Sequence, residues 1–538
     1  MSIMSCSRNV LLFGAVIIGA AGIADAAESL PATRDLPAAI AADIGGIVRI
    51  DNYRWVDETA MSFSAALGKG GDVVSEWIAE SLTNLSSFRG IDPARPGLIA
   101  WRSGAAPMIA VIPVSDRTRF LGDFGQLYHI DRLMIQIGER EGAHVFRQVT
   151  VDGNQEYCVF LRDDYAYVAR TIEECRAMAE RPLRVNSERP ALYSEWRGSF
   201  LADTISDITE QYMLGSRAAV LDAMRFDAVM AATALEWRSA LAQVRVLRWW
   251  CGPHGAAEQD LSFGLDADAQ SGTALAAWLV RQSNGASRLL PMVMADDELL
   301  HMHGAFRWQG ELESGGRAAT ERLQGLTGRV VQVETEQEVR GYFNLRDRQG
   351  PFALSLSLDV GKQVGDAPAP IHYRLNSVSE QPRATDLLSK MRGYDLALRH
   401  DKHWNVQDFT LVDDLASYSV ASDAHQVVKV ADHSRLVQAC AATAEASLSA
   451  ARSIVAALAE NHQPIGEAGI FSVMIRFDRL FSVLSQRRGG DPIGVPEVSA
   501  TFTVRKDDQQ RFAGSAVIPL EELREAIVRS GFLLTGSE

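Results

Sequence analysis

Met108-Ile109-Ala110-Val111-Ile112-Pro113-Val114 is apolar for seven residues, then breaks at Ser115-Asp116 into a segment that sets Phe120, Leu121 and Phe124 on one helical face. It reads as a strand that passes through a capping hydroxyl, Ser115, straight into an amphipathic helix. The same order returns along the chain. Ala166-Tyr167-Val168-Ala169-Arg170 leads through Thr171 into a helix over Glu173 to Ala179. Leu261, Phe263 and Leu265 alternate ahead of Ser271 and a helix from Ala274 to Val280. Gln426-Val427-Val428-Lys429-Val430 leads through Asp432 into a helix carrying Leu436, Val437 and Cys440, and Phe512, Gly514, Ala516 and Ile518 alternate ahead of Pro519 and a helix from Leu520 to Val528. Half-apolar alternation of this kind predicts antiparallel sheets with one covered face.

Two longer stretches carry helical periodicity. One runs from about Ala202 to Ala242, with a break near Gly215. The other runs from Arg435 to Asn461, where alanines supply propensity and Leu436, Val437, Leu448, Ile454, Val455 and Leu458 an apolar stripe. Together these features predict an α+β fold in which antiparallel sheets pack against long amphipathic helices. Residues from about 40 to 285 and from about 290 to 538 look like two tandem versions of one layout. Identity between the halves is weak, so generic alternation of strands and helices is the competing explanation. The polar stretch Gln282 to Ser287 marks the boundary, dividing an N-terminal α+β domain over 27–285 from a C-terminal one over 286–538.

The chain begins with three chemically distinct zones. Arg8 precedes Val10 to Ala24, which holds no charge and falls short of the roughly 20 residues of a spanning helix, and the run closes at the small-x-small pattern Ala24-Asp25-Ala26. This predicts a signal peptide over 1–26, cleaved after Ala26, and a periplasmic or secreted mature protein with no membrane span. An uncleaved anchor is the alternative. Removing Arg8 and Asp25 together leaves the net charge at -15, a balance that repels phosphate backbones and argues against nucleic acid as a partner. Lysine is rare, and none ends a GxxxxGK[ST] loop or follows a serine by three positions. No cofactor is expected.

One group of residues resembles a known pattern. Gly90-Ile91-Asp92-Pro93-Ala94-Arg95-Pro96-Gly97, followed by Ala106 to Asp116 and Phe120-Leu121, is similar to an uncharacterised family of exported bacterial proteins, a domain of unknown function, with a G-[ILV]-D-P-x-R-P element, an apolar strand and P-V-[ST]-D. Leu261 to Leu279 resembles that family's strand, small-residue turn and helix. The resemblance implies export and an α+β architecture; it implies no activity and no catalytic residues.

Reactive constellations are sparse. His301 and His303 bracket Met302, so on a strand both imidazoles share a face, but a metal needs further ligands, and Asp296, Asp297 and Glu298 are near only in sequence. His400 and His403 flank Asp401-Lys402, with Tyr394, Leu396 and Leu398 before and Trp404 and Val406 after, which reads as a hairpin that sets the two imidazoles across from each other. A solvent-facing or hydrogen-bonded pair is the plainer account of both couples. Cys158 and Cys175 lie where a short strand-to-helix connection brings them together, as a disulfide or as two separate buried thiols. Trp249-Trp250 on a strand sends one indole to each face.

The expectation is therefore a non-enzymatic periplasmic binding or scaffolding protein, with an envelope protein or an apolar small molecule as partner. Two alternatives stand beside it: a carrier of lipid-like molecules, with a cavity enclosed between helix and sheet, and a hydrolase whose site is assembled from residues distant in sequence. A filled core at Leu436, Ile454 and Leu458 speaks against the carrier.

Overall fold

Ile44–Ile50 is buried along its entire length, as a central strand covered on both faces must be. In the computed structural model, which describes in the main residues 36–53, 90–102, 109–203, 241–305, 350–361 and 369–529 with short gaps inside these spans, the chain forms two compact units. The first comprises described residues of Ala21–Asp203 and Leu241–Asp268; the second takes those from Ala269 onward. The division falls at the end of a strand, ahead of the polar Gln282 to Ser287 stretch.

In chain order the first unit contains α1 (Ala38–Ala41), β1 (Ile44–Ile50), β2 (Gly97–Arg102), β3 (Ile109–Pro113), α2 (Arg117–Gly125), β4 (Arg132–Arg140), β5 (Ala143–Thr150), β6 (Gly153–Arg162), β7 (Tyr165–Ala169), α3 (Ile172–Ala179), β8 (Leu192–Arg197), β9 (Val244–His254) and β10 (Asp260–Ala269). Antiparallel pairing gives the order β9-β8-β1-β2-β3-β7-β6-β5-β4. One sheet face packs Ile47, Leu98, Val111 and Tyr167 against α1 and α3. The other packs Val48, Ile99 and Val168 against Phe120 and Phe124 of α2. Alternate residues of each strand thus enter two cores, which is why these strands read as nearly continuous apolar runs.

The second unit contains α4 (Ala274–Arg281), α5 (Leu290–Val293), β11 (Glu298–Gly304), β12 (Phe352–Val360), β13 (Ile371–Glu380), α6 (Ala384–Ala397), β14 (Asn405–Asp408), β15 (Ala416–Ala421), β16 (Gln426–Ala431), β17 (Arg435–Ala441), α7 (Ala444–Leu458), β18 (Phe471–Arg476), α8 (Phe477–Arg487), β19 (Ser499–Lys506), β20 (Arg511–Pro519) and α9 (Leu520–Arg529). Its order is β20-β19-β18-β11-β12-β13-β17-β16-β15-β14, again antiparallel throughout. Each strand from β11 to β18 has the same partners as the strand ten numbers earlier. Even the irregularity recurs: the β1–β2 register shifts between Ile44 and Gly46, and the β11–β12 register between Glu298 and Leu300.

The expectation of long helices layered on sheets is corrected by this architecture. Strand predominates among the described residues, and helices are short patches on a sheet-dominated fold; α7, predicted as Arg435 to Asn461, spans 15 residues from Ala444 to Leu458. Leu436, Val437, Ala439 and Cys440 lie instead in β17, buried between β13 and β16. The Asp432 carboxylate accepts the backbone N–H groups of Ser434 and Arg435, both at 2.6 Å, and closes a hairpin where a helix start was expected. Sheet pairing overrides the helical propensity of the segment. Of the expected helix over 202–242, residues 204–240 lie outside the described residues.

The hairpin predicted around His400 and His403 is also corrected. Tyr394 and Leu396 belong to α6, a helix because Ala384, Leu387, Leu388 and Met391 recur at i, i+3, i+4 and i+7 and pack on Tyr418, Val420 and Leu436. The expected caps shift slightly. Asp116 rather than Ser115 takes the Arg119 N–H of α2, at 3.1 Å, and Thr273 rather than Ser271 caps α4. Thr171 caps α3 as the sequence implies, in a reciprocal box with Glu174. No helix among the described residues is long and apolar enough to cross a membrane.

Candidate functional site

Gly90 to Arg95 fold as a clamp. Gly90 holds a φ of 106°, and a Cβ there would meet the Asp116 carbonyl oxygen at 2.5 Å, so only glycine fits. Its own carbonyl accepts the Ser115 N–H at 2.7 Å, while the Ser115 hydroxyl donates to the Ile91 carbonyl at 3.0 Å. The Asp92 carboxylate accepts the Ala94 N–H at 3.0 Å and pairs with Arg95 at 3.3 Å. Arg95 then reaches Asp164 at 3.2 Å, in the β6–β7 turn, and sits 5.8 Å above the Tyr165 ring. The residues that carry the family resemblance therefore join the start of β2 to the β3–α2 junction and to a distant hairpin. Their work is positional, and what they position is Arg95.

Arg95 lines an open cavity of about 720 Å³, with Tyr165 and Tyr167 of β7, Arg162 at the end of β6, and Ala179 and Glu180 at the end of α3. Tyr165 is 7 % exposed and Tyr167 2 %, yet neither hydroxyl has a hydrogen-bond partner among the described residues. The rings are buried, but the hydroxyls open on the cavity, within reach of solvent. Burial, reinforced by Tyr165 and Asp163, raises the Tyr167 pKa to about 12, and burial raises that of Tyr165 as well, so both stay neutral and able to donate. Charges at the rim are largely matched: Arg162 pairs with Asp163 at 3.2 Å, and Arg95 with its two aspartates. Tyr167 drew attention in the sequence only as a strand residue, and Tyr165, just ahead of that run, not at all. Alternation places them on one face of β7, but the opening beside them follows from where α3 ends.

A second polar group lies within the second unit's sheet. Residues three apart on a regular strand face opposite ways, but the register shift after Glu298 turns its carboxylate to the face of His301. Glu298 accepts from His301 Nδ1 at 2.7 Å and from the Ser355 hydroxyl at 3.0 Å. This leaves Nε2 as the basic nitrogen of His301. Ser355 spends its proton on the carboxylate rather than the imidazole, so the trio lacks the order of a nucleophilic triad. Alongside, Arg374 and Ser357 both donate to Asp297, at 2.5 and 3.2 Å. His303 shares the His301 face, as alternation predicts, but is packed away: its Nε2 donates to the Glu467 carbonyl at 3.3 Å, and Nδ1 has no partner among the described residues. No group of three or more His, Cys, Asp or Glu among the described residues is placed to hold a metal ion.

The first unit also buries an ionic network. Arg248 bonds Glu195 at 3.3 Å, Asp266 at 2.7 Å and Asp268 at 3.0 Å, and the Tyr193 hydroxyl donates to Glu195 at 2.7 Å. Burial disfavours the Arg248 charge, but the Asp266 hydrogen bond and the Asp268 charge outweigh it and raise its pKa. Groups so matched hold strands together. Cys158 and Cys175 are buried and free; the Cys175 thiol donates to the Cys158 carbonyl at 3.3 Å, and the Cys158 thiol to the Arg170 carbonyl at 3.6 Å. Burial, with Cys158 beside it, raises the Cys175 pKa to about 12, which makes it a poor nucleophile. Trp249 packs on the α2 side of the sheet, while Trp250 lies against Gly264 of β10. His400 and His403 lie outside the described residues.

The space a lipid carrier would need beneath α7 is filled: Ile454 is buried against Val428, Val430 and Val437, Leu458 packs on the same cluster, and Leu436 is buried under α6. Compared with known proteins, the chain matches no family model, no curated protein and no solved structure.

Proposed function

We propose that the chain is an exported, non-enzymatic binding protein whose small-molecule site is the cavity beside β7 in the first unit. The observation that carries this is the pair of buried phenols, Tyr165 and Tyr167, lining an open 720 Å³ space with no protein partner for either hydroxyl among the described residues. Both hydroxyls open on the cavity, so a ligand that displaces solvent from them must replace its hydrogen bonds, which favours one that can bond to both. A clamp that fixes Arg95 at the rim agrees with a preformed site. Export rests on the zones of residues 1–26, and the resemblance to an exported family points the same way. The recurring pairing order and the recurring register shift support descent of both units from one ancestral unit.

Native mass spectrometry of the full chain, purified from the envelope of its own host, tests the proposal. A non-protein mass should accompany the wild type and be lost from Glu180→Trp, which fills the cavity mouth from an exposed position. A bare chain in both samples would sink it. Among the described residues a hydrolase is favoured only by the Glu298–His301 pair; with the Ser355 proton given to Glu298, that pair would need water as its nucleophile. Loss of a hydrolytic activity in His301→Gln, with unchanged thermal stability, would support it.

A further inference from the structure

We propose that the ligand of this cavity is a neutral, hydroxyl-rich ring compound, a mono- or disaccharide, an inference that rests on the binding role assigned above. Charge decides the first step. The two guanidinium groups at the site are already engaged, Arg95 by Asp92 and Asp164 and Arg162 by Asp163, so no bare cation waits for an anionic group. Glu180 has no partner among the described residues, but it is exposed. Water screens its field, which suits it to accept hydrogen bonds rather than to hold an organic cation.

The hydroxyls of Tyr165 and Tyr167 decide the second step. Both are neutral groups that donate and accept, and an apolar ligand would leave both unsatisfied. A sugar hydroxyl meets each as donor or acceptor. Pro96, Ala179 and Leu183 complete the lining with an apolar wall, which suits the C–H face of a pyranose. The volume, about 720 Å³, lies in the range that holds small-molecule ligands.

Calorimetric titration of the full chain with maltose, glucosamine and glucuronate tests the class. Maltose should bind; Tyr165→Phe and Tyr167→Phe, which remove one oxygen each, should weaken it by about 3- to 10-fold apiece without lowering the melting temperature. Glucosamine or glucuronate binding more tightly than maltose would overturn the neutral class. If no sugar binds while a co-purifying mass remains sensitive to Glu180→Trp, the sugar class fails and the binding role stands. If no sugar binds and no mass co-purifies, both fail.

Discussion

Replacing His303 with glutamine should remove a pH dependence from the stability of the second unit. The wild-type imidazole is 1 % exposed, gives its Nε2 proton to the Glu467 carbonyl, and has no partner for Nδ1 among the described residues. Protonation would put a buried N–H where nothing accepts it. Burial accordingly holds the His303 pKa below its ordinary 6.5, against the Glu467 carbonyl, which raises it, and together with His301, which lowers it further. The unfolded chain therefore takes up a proton that the folded chain rejects. Stability from this site is complete above the unfolded value and falls as the pH drops below it, until the folded imidazole is itself protonated. While the folded imidazole stays neutral, the slope of that loss is bounded at about 1.4 kcal/mol per pH unit, the worth of one proton. Glutamine keeps a donor for Glu467 but cannot be protonated in this range. The assay is urea denaturation of both proteins at several pH values, read by hydrogen exchange in peptides from β11. Taking the difference between the two cancels every other titrating group common to both. Curves that run parallel from neutral pH down through this window would refute the account.

Other outcomes follow from single contacts. Gly90→Ala should cost about 2 kcal/mol or more, since φ is positive and the added methyl meets backbone; thermal denaturation of the first unit checks it. Thr171→Ala and Thr443→Ala should each cost about 1 kcal/mol, in separate units and so additively, because each hydroxyl caps the helix after an equivalent strand. Arg248→Met should be among the most damaging changes, about 3–5 kcal/mol, because it removes the cation that both buried carboxylates, Glu195 and Asp266, face. Chemical denaturation should recover most of that loss in the triple variant Arg248→Met, Glu195→Gln, Asp266→Asn.

Much of the local structure was legible in the chain. Met108 to Val114, Leu261 to Leu265 and Phe512 to Ile518 announce strands by their apolar or alternating side chains, and Thr171 announces α3, since capping chemistry and periodicity act over a few neighbouring residues. Where several structures satisfied the same local rules, the sequence was ambiguous. Ala-rich, apolar Arg435 to Ala441 suits a helix until β13 and β16 bind both of its edges, and Tyr394 and Leu396 alternate like a strand until α6 finds Tyr418 and Val420 to cover.

The candidate sites belong to tertiary structure almost entirely. Arg95, Tyr165 and Glu180 meet only because a clamp at Gly90 and the end of α3 converge on one hairpin, and Glu298 reaches His301 only because a register shift inserts one residue into β11. By itself the sequence determined which residues favour strand, turn and cap, because those preferences are properties of a few adjacent side chains. The three-dimensional fold decided which side chains share a cavity, because that depends on pairings made across more than fifty residues of chain, such as Glu298 with Ser355, which no local pattern encodes.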